Sequence, residues 1–78
     1  MGRTKEFTTL RITEVEYKNF QELYTVFEYN GEVAAIEHEG YDVSSMKMDS
    51  DEVYEYGMTE VVTQDPEQFI HNYFLNVQ

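Results

Sequence analysis

Few side chains in this sequence have a type that suits metal binding or nucleophilic catalysis. There are two histidines, His38 and His71, and no cysteine, which excludes disulfides, thiolate zinc sites and a cysteine nucleophile. A metal site needs three or four ligands, and the acids beside His38 point to the opposite strand face. His71 follows Ile70 on the polar side of a predicted helix. The serines lack the glycine elbow of a hydrolase nucleophile. We therefore expect no catalytic residue.

The acidic run after Met48 partly resembles a calcium-binding loop. Asp49, Asp51 and Glu60 have the spacing of the first, third and last ligands of such a loop. However, Val53 stands where an oxygen ligand is required, and Tyr54 stands where the turn requires glycine. We therefore expect no metal and no cofactor.

The strongest local signal is the dipeptide Asn30-Gly31, which is typical of a type I′ hairpin turn. Residues 23–29 and 32–38 on either side are rich in β-branched and aromatic residues and predict two strands. A two-residue turn pairs Tyr29 with Glu32, Phe27 with Ala34, and Thr25 with Ile36. One face of the hairpin then carries Leu23, Thr25, Phe27, Ala34 and Ile36, and the other carries Tyr24, Val26, Glu28, Val33, Ala35 and Glu37.

Residues 7–18 predict an earlier strand in which Leu10 and Ile12 share a face. Val15 and Tyr17 have the opposite parity, so a bulge near Thr13-Glu14 is expected if a single face is buried. A capping-box pattern at residues 13–16 allows a helix instead. The strand is favoured because the hairpin requires residues 23–29 to be extended.

Residues 65–77 predict an amphipathic helix. Asp65 can cap it, Pro66 suits its first position, and Gln68 completes a capping box. The apolar stripe that follows consists of Phe69, Ile70, Tyr73, Phe74 and Val77. Residues 41–48 and 53–63 can supply further strands around a turn at residues 49–52, although Ser50 can also begin a short helix through Glu55. We predict a single α+β domain spanning residues 1–78, an antiparallel sheet of three to five strands with the C-terminal helix on one face.

Length and charge limit the possible functions. The chain has 78 residues and a net charge of −11, which is too small for a deep cavity and unsuited to binding nucleic acid or an anionic membrane. Residues 1–18 carry four basic and three acidic residues, whereas residues 19–78 carry thirteen acids against Lys47 alone. No apolar run is long enough for a membrane span or a signal peptide, so a cytoplasmic location is expected.

Such a field suits a partner protein with a basic, nucleic-acid-binding surface. Carboxylates on alternate strand positions, such as Glu37 and Glu39, lie about 6.6 Å apart, so two decorated strands approach the charge spacing of a DNA strand. Exposed tyrosines among them are suitable binding anchors. The predicted partner-binding residues are Glu28, Tyr29, Glu32, Glu37, Glu39, Tyr41, Asp42, Asp49, Asp51, Glu52, Tyr54, Glu55 and Tyr56.

In size, acidity, interleaved tyrosines and α+β pattern, the chain resembles the small phage-encoded inhibitors of bacterial defence, the anti-CRISPR proteins and related DNA mimics. It is also similar to the acidic immunity proteins that block nuclease toxins. The resemblance is compositional and implies a non-enzymatic inhibitor that acts in the cytoplasm of a bacterial host. The alternative from another class is a small structural subunit that forms a homodimer through the sheet face left open by the helix.

Overall fold

The computed structural model describes residues 6–18, 21–46 and 52–77. For residues 76 and 77 it describes the backbone only. Its elements in chain order are β1 (Thr8–Tyr17), β2 (Leu23–Tyr29), β3 (Glu32–His38), β4 (Tyr41–Asp42), β5 (Val53–Thr63) and α1 (Pro66–Val77). The strands form one antiparallel sheet in the order β4-β3-β2-β1-β5. The predicted α+β architecture is confirmed.

Strand β1 contributes apolar side chains to both faces of the sheet. It pairs with β2 in an unbroken register from Arg11 to Glu16, so Ile12 and Val15 point in opposite directions. The bulge expected in β1 is not there. The register shifts instead on the other side of β1, where Glu14 faces Gly57 and Val15 faces Glu55, so the additional residue is Tyr56 of β5. The helical alternative for residues 13–16 is also wrong.

The β2–β3 turn forms as predicted, but the pairing beyond it differs. Asn30 and Gly31 have φ angles of 56° and 78°, as a type I′ turn requires, and Tyr29 faces Glu32. A register shift between Phe27 and Glu28 pairs Phe27 with Ala35 instead of Ala34, and Thr25 with Glu37 instead of Ile36. The predicted faces of Ala35, Ile36 and Glu37 are therefore wrong, whereas Ala34 is the additional residue at the shift. The shift places the small Ala35 beneath the helix and sends Ile36 to the opposite face.

A second tight turn, which was not predicted, follows β3. Glu39 and Gly40 have φ angles of 52° and 89°, and His38 faces Tyr41 across them. Within the described part of the predicted strand 41–48, residues 41–46, strand pairing with β3 is confined to Tyr41–Asp42. Residues 43–46 then turn onto the open face, where the Val43 N–H donates to the Ile36 carbonyl at 2.8 Å. Residues 47–51 lie outside the described residues, and strand at 53–55 contradicts a helix through Glu55.

Helix α1 begins as the capping motif predicts. The Asp65 carboxylate accepts a hydrogen bond from the Gln68 N–H at 3.1 Å. The Gln68 side chain donates to Asn72 instead of completing the capping box. Of the predicted stripe, Ile70 is buried, while Phe69, Tyr73 and Phe74 are half-buried against the sheet. The side chain of Val77 lies outside the described part of the chain.

Two small apolar cores lie on opposite faces of the sheet. The core under α1 consists of Leu10, Phe27, Ala35 and Ile70, with the Tyr73 ring edge-on to Phe27 at 4.9 Å. The core on the open face consists of Val15, Tyr17, Tyr24 and Ile36, covered by Val43 and Met46. Both faces are therefore needed to bury the apolar side chains of this short chain.

The first prediction concerns the hairpin turn. Gly31→Val should reduce the free energy of unfolding by about 1–3 kcal/mol, because a β-branched residue is strained at positive φ. Nothing lies within 4 Å of a Cβ built on Gly31, so the loss would come from the backbone alone. The matched control is Gly57→Val, at a strand position that is equally open and has no positive φ. Urea unfolding of the two variants should separate them, and equal stabilities would contradict the positive-φ turn.

The second prediction concerns the docking of α1. Ile70 is 8% exposed and Leu75 is 59% exposed. Ile70→Ala should therefore cost about 2–4 kcal/mol, whereas Leu75→Ala should change the unfolding free energy by less than about 0.5 kcal/mol. Both changes remove apolar atoms from one helix, so their difference measures packing on the sheet. Similar losses for both variants in thermal or urea unfolding would show that α1 does not pack by this face.

Candidate functional site

The predicted partner-binding residues fall into three patches and not on one surface. Strands β4 and β5 are the two edges of the sheet and are separated by three strands, or about 19 Å at the usual strand spacing. A third patch lies around the β2–β3 turn. Asp49 and Asp51 lie outside the described residues. The three patches differ in how free their side chains are to meet a partner.

The patch at the β4 edge contains Glu37, Glu39, Tyr41 and Asp42. Glu37 is only 8% exposed, and its carboxylate accepts the Gly40 N–H at 2.6 Å. Glu39 is exposed in the turn. The expectation of two exposed carboxylates on one strand face is therefore wrong at this pair. Asp42 accepts hydrogen bonds from the Ser44 N–H, at 2.9 Å, and from the Ser44 hydroxyl. Two of the three acids here serve local structure.

In the patch at the β2–β3 turn, two of the predicted side chains make contacts within the fold. The Tyr29 hydroxyl donates to Glu67 of α1 at 3.2 Å, and the ring is half-buried. Burial and this carboxylate raise the pKa of Tyr29. Glu28 lies 4.0 Å from the Arg11 guanidinium. Of the predicted residues in this patch, Glu32 is exposed, and Glu28 and Tyr29 are half-buried.

The third patch, which we call the β5 edge, consists of Glu52, Tyr54, Glu55, Tyr56 and Glu60. All five are exposed, and the two tyrosines retain 52% and 60% of their accessible surface. The Tyr56 hydroxyl donates to Glu16 of β1 at 2.9 Å, and this hydrogen bond is the main cause of the raised pKa of Tyr56. The Lys18 Nζ lies 5.5 Å from the centre of the Tyr54 ring. The tyrosines are thus both exposed and held in place.

Cations near the β5 edge leave most of its charge uncompensated. Glu60 lies 3.9 Å from the Arg11 guanidinium, a separation at which an exposed pair is weak. Within the described residues, no ion pair involves Glu52 or Glu55. In the sequence, Glu60 was considered only as the last ligand of an incomplete calcium-loop pattern, so its position in this patch was not predicted. Glu60 lies near Arg11 because the β1–β5 register places the two residues opposite each other.

Strand β5 also offers unpaired backbone. It runs for eleven residues and, within the described part of the chain, pairs on one side only, with β1. From Gly57 to Thr63 the pairing with β1 is regular. The outer edge of this segment therefore presents free N–H and C=O groups at regular spacing.

A shallow groove of about 510 Å³ lies on the open sheet face beside β5. Its lining is largely apolar and includes Val15, Val26, Val33, Ile36, Met46, Val53 and Met58, with Arg11, Glu28 and Glu55 among the polar residues. The sequence gives no sign of this groove, because the segment 43–46 that forms one wall was predicted to be strand.

A second feature missed by sequence reasoning is a polar cluster around His38. The imidazole stacks on the Tyr24 ring at 4.5 Å and lies 3.7 Å from Glu22, which also accepts the Tyr24 hydroxyl hydrogen bond at 3.0 Å. Burial and Glu22 raise the pKa of Tyr24. The cluster packs β2 against β3. Among the described residues, no group of three His, Cys, Asp or Glu side chains is arranged to hold a metal ion.

Comparison with known proteins identifies no relative: no protein family, no curated protein and no solved structure matches this chain. Over the residues that the structure describes, no helix has the length and apolar character required to cross a membrane.

The third prediction distinguishes Glu37 from Glu39. Glu37→Ala removes a buried acceptor of the Gly40 N–H and should cost about 1–3 kcal/mol in unfolding free energy. Glu39→Ala removes the same atoms from an exposed site and should change it by less than about 0.5 kcal/mol. Urea unfolding of the two variants provides the measurement. Equal losses for the two variants would contradict the buried, hydrogen-bonded position of Glu37.

Proposed function

We propose that this protein is a non-enzymatic inhibitor that binds the basic, nucleic-acid-binding surface of a partner protein through the β5 edge. The observation that carries the proposal is the combination of exposed acids and exposed, positioned tyrosines along one edge strand. The resemblance to DNA-mimic inhibitors is in accord with it, and we place the action in the cytoplasm of a bacterial cell.

The charge of the chain supports a cationic partner. Residues 19–78 carry thirteen acids against one lysine. The described part of the chain contains one arginine, Arg11, and one lysine, Lys18. Arg11 lies between Glu28 and Glu60, and Lys18 lies over the Tyr54 ring. The remaining acidic field would accelerate encounter with a positive groove and would repel nucleic acid itself.

The tyrosines supply the short-range part of the interaction. Tyrosine buries a large area and has few rotatable bonds, so little conformational entropy is lost on binding. The hydrogen bond to Glu16 already restrains Tyr56, which lowers that cost further. Charge would then govern the association rate, while burial of Tyr54 and Tyr56 would govern the lifetime of the complex.

The β5 edge is favoured over the other two patches because its tyrosines are exposed and because Glu52 and Glu55 form no ion pair within the described residues. At the β4 edge, Glu37 is buried and Asp42 bonds Ser44. At the β2–β3 turn, Tyr29 is bonded to α1. A surface that binds a partner by charge needs carboxylates that are not already engaged, and Glu52 and Glu55 meet that condition.

The fourth prediction is a competition experiment with a nuclease-treated bacterial lysate. The immobilised protein should retain a nucleic-acid-binding protein, and added duplex DNA or RNA should release it. Glu52→Lys/Glu55→Lys should lose this protein, because the reversal repels a basic groove. The matched control, Glu32→Lys/Glu39→Lys, changes the net charge equally at exposed sites away from β5 and should retain it.

Two results would contradict the proposal. One is a retained protein that binds added nucleic acid while it stays on the immobilised chain and whose retention is the same for both double variants. The other is retention that does not change between low and high salt, since a steered, charge-based association weakens as salt rises. Sedimentation of the purified chain should show a monomer, whereas a dimer formed through the open face would favour a structural subunit.

A further inference from the structure

We propose that β5 binds its partner by strand addition, accepting an extended segment rich in lysine or arginine as a sixth strand of the sheet. This inference rests on the proposed function and specifies how the β5 edge makes contact. In strand addition, backbone hydrogen bonds provide affinity and alternate side chains provide specificity.

The outer edge of β5 has the length and regularity that strand addition needs. Residues 57–63 pair regularly with β1 and extend for about 23 Å at the usual rise per residue. Natural edge strands are commonly protected by lysine, proline, bulges or short length. The sequence of β5, VYEYGMTEVVT, contains no lysine and no proline, and its irregularity is confined to Tyr56 at one end.

The charge at this edge selects the occupant. Glu55 and Glu60 both lie on the open face of β5, with Met58 between them: Glu55 and Met58 line the groove, and Glu60 approaches Arg11 on that same face. A second copy of the chain would bring another −11 charges to the interface. Like charges on adjacent strands are destabilising, whereas opposite charges attract. A cationic segment is therefore the occupant that this edge favours.

The register gives the chemistry of the added strand. Its side chains on the open face would lie beside Met58, Glu60 and Val62, with Glu55 beyond the irregularity at Tyr56, and those on the other face would lie beside Thr59 and Val61. The matching pattern places lysine or arginine on the open face, where the charged ends reach Glu55 or Glu60 and the aliphatic stems cover Met58 or Val62, with β-branched residues such as threonine between them.

The fifth prediction uses an eight-residue peptide of alternating lysine and threonine, blocked at both ends, as the probe. Titration into ¹⁵N-labelled protein should shift the amide signals of residues 57–63 and slow their hydrogen exchange. The same peptide with every amide N-methylated keeps its charge but loses its donors, and it should bind more weakly by about tenfold. Glu55→Gln/Glu60→Gln should weaken binding of the parent peptide more than Glu32→Gln/Glu39→Gln does.

The alternative outcomes are distinct. If both peptides bind equally and the exchange of residues 57–63 is unchanged, strand addition is wrong, while charge-based binding by the β5 edge stands. If neither peptide binds although the lysate competition succeeds, strand addition is likewise overturned and the proposed function is retained. If exchange at β5 slows with protein concentration in the absence of peptide, the edge pairs with a second copy and the cationic occupant is wrong.

Discussion

The structure depends on β1 contributing apolar side chains to both faces of one sheet. Leu10 belongs to the core under α1, while Val15 and Tyr17 belong to the core on the open face. The buried apolar residues of the described part of the chain are divided between the two faces, four in each core. Because one helix covers one face, the segment after β4 must turn back to cover the other. Strand β5 pairs with β1 at the opposite end of the sheet from β4 and is therefore an edge strand.

Local signals predicted the elements whose geometry is decided by a few adjacent residues. The Asn30-Gly31 turn and the Asp65 cap are both found, because positive φ and a free helix N–H are satisfied within four residues. The strand pairing beyond the turn was not predictable in this way. The shift between Phe27 and Glu28 places Ala35 in the core beneath α1. This core joins distant parts of the chain.

The same distinction explains which site residues could be predicted. The exposure of Tyr54, Glu55 and Tyr56 was predicted and is found on an edge strand, whereas their role in binding a partner stays a prediction. Glu37 was misassigned because the Glu39-Gly40 turn that buries it was not recognised, although its glycine and positive φ follow the same rule as the first turn. The groove could not be foreseen, since residues 43–46 form its wall only after the strands have paired.

The acidic charge has opposite effects on the chain and on its edge. Repulsion among the carboxylates lowers the stability of a small domain whose two cores are thin. At β5, however, this repulsion discourages the pairing of two like edges, a role that lysine or proline commonly has in other proteins. Acidic side chains would differ from lysine in one respect, because they would not repel a strand of positive charge. Under the proposed function, the acidic charge of β5 would therefore exclude copies of this chain and accept a cationic segment.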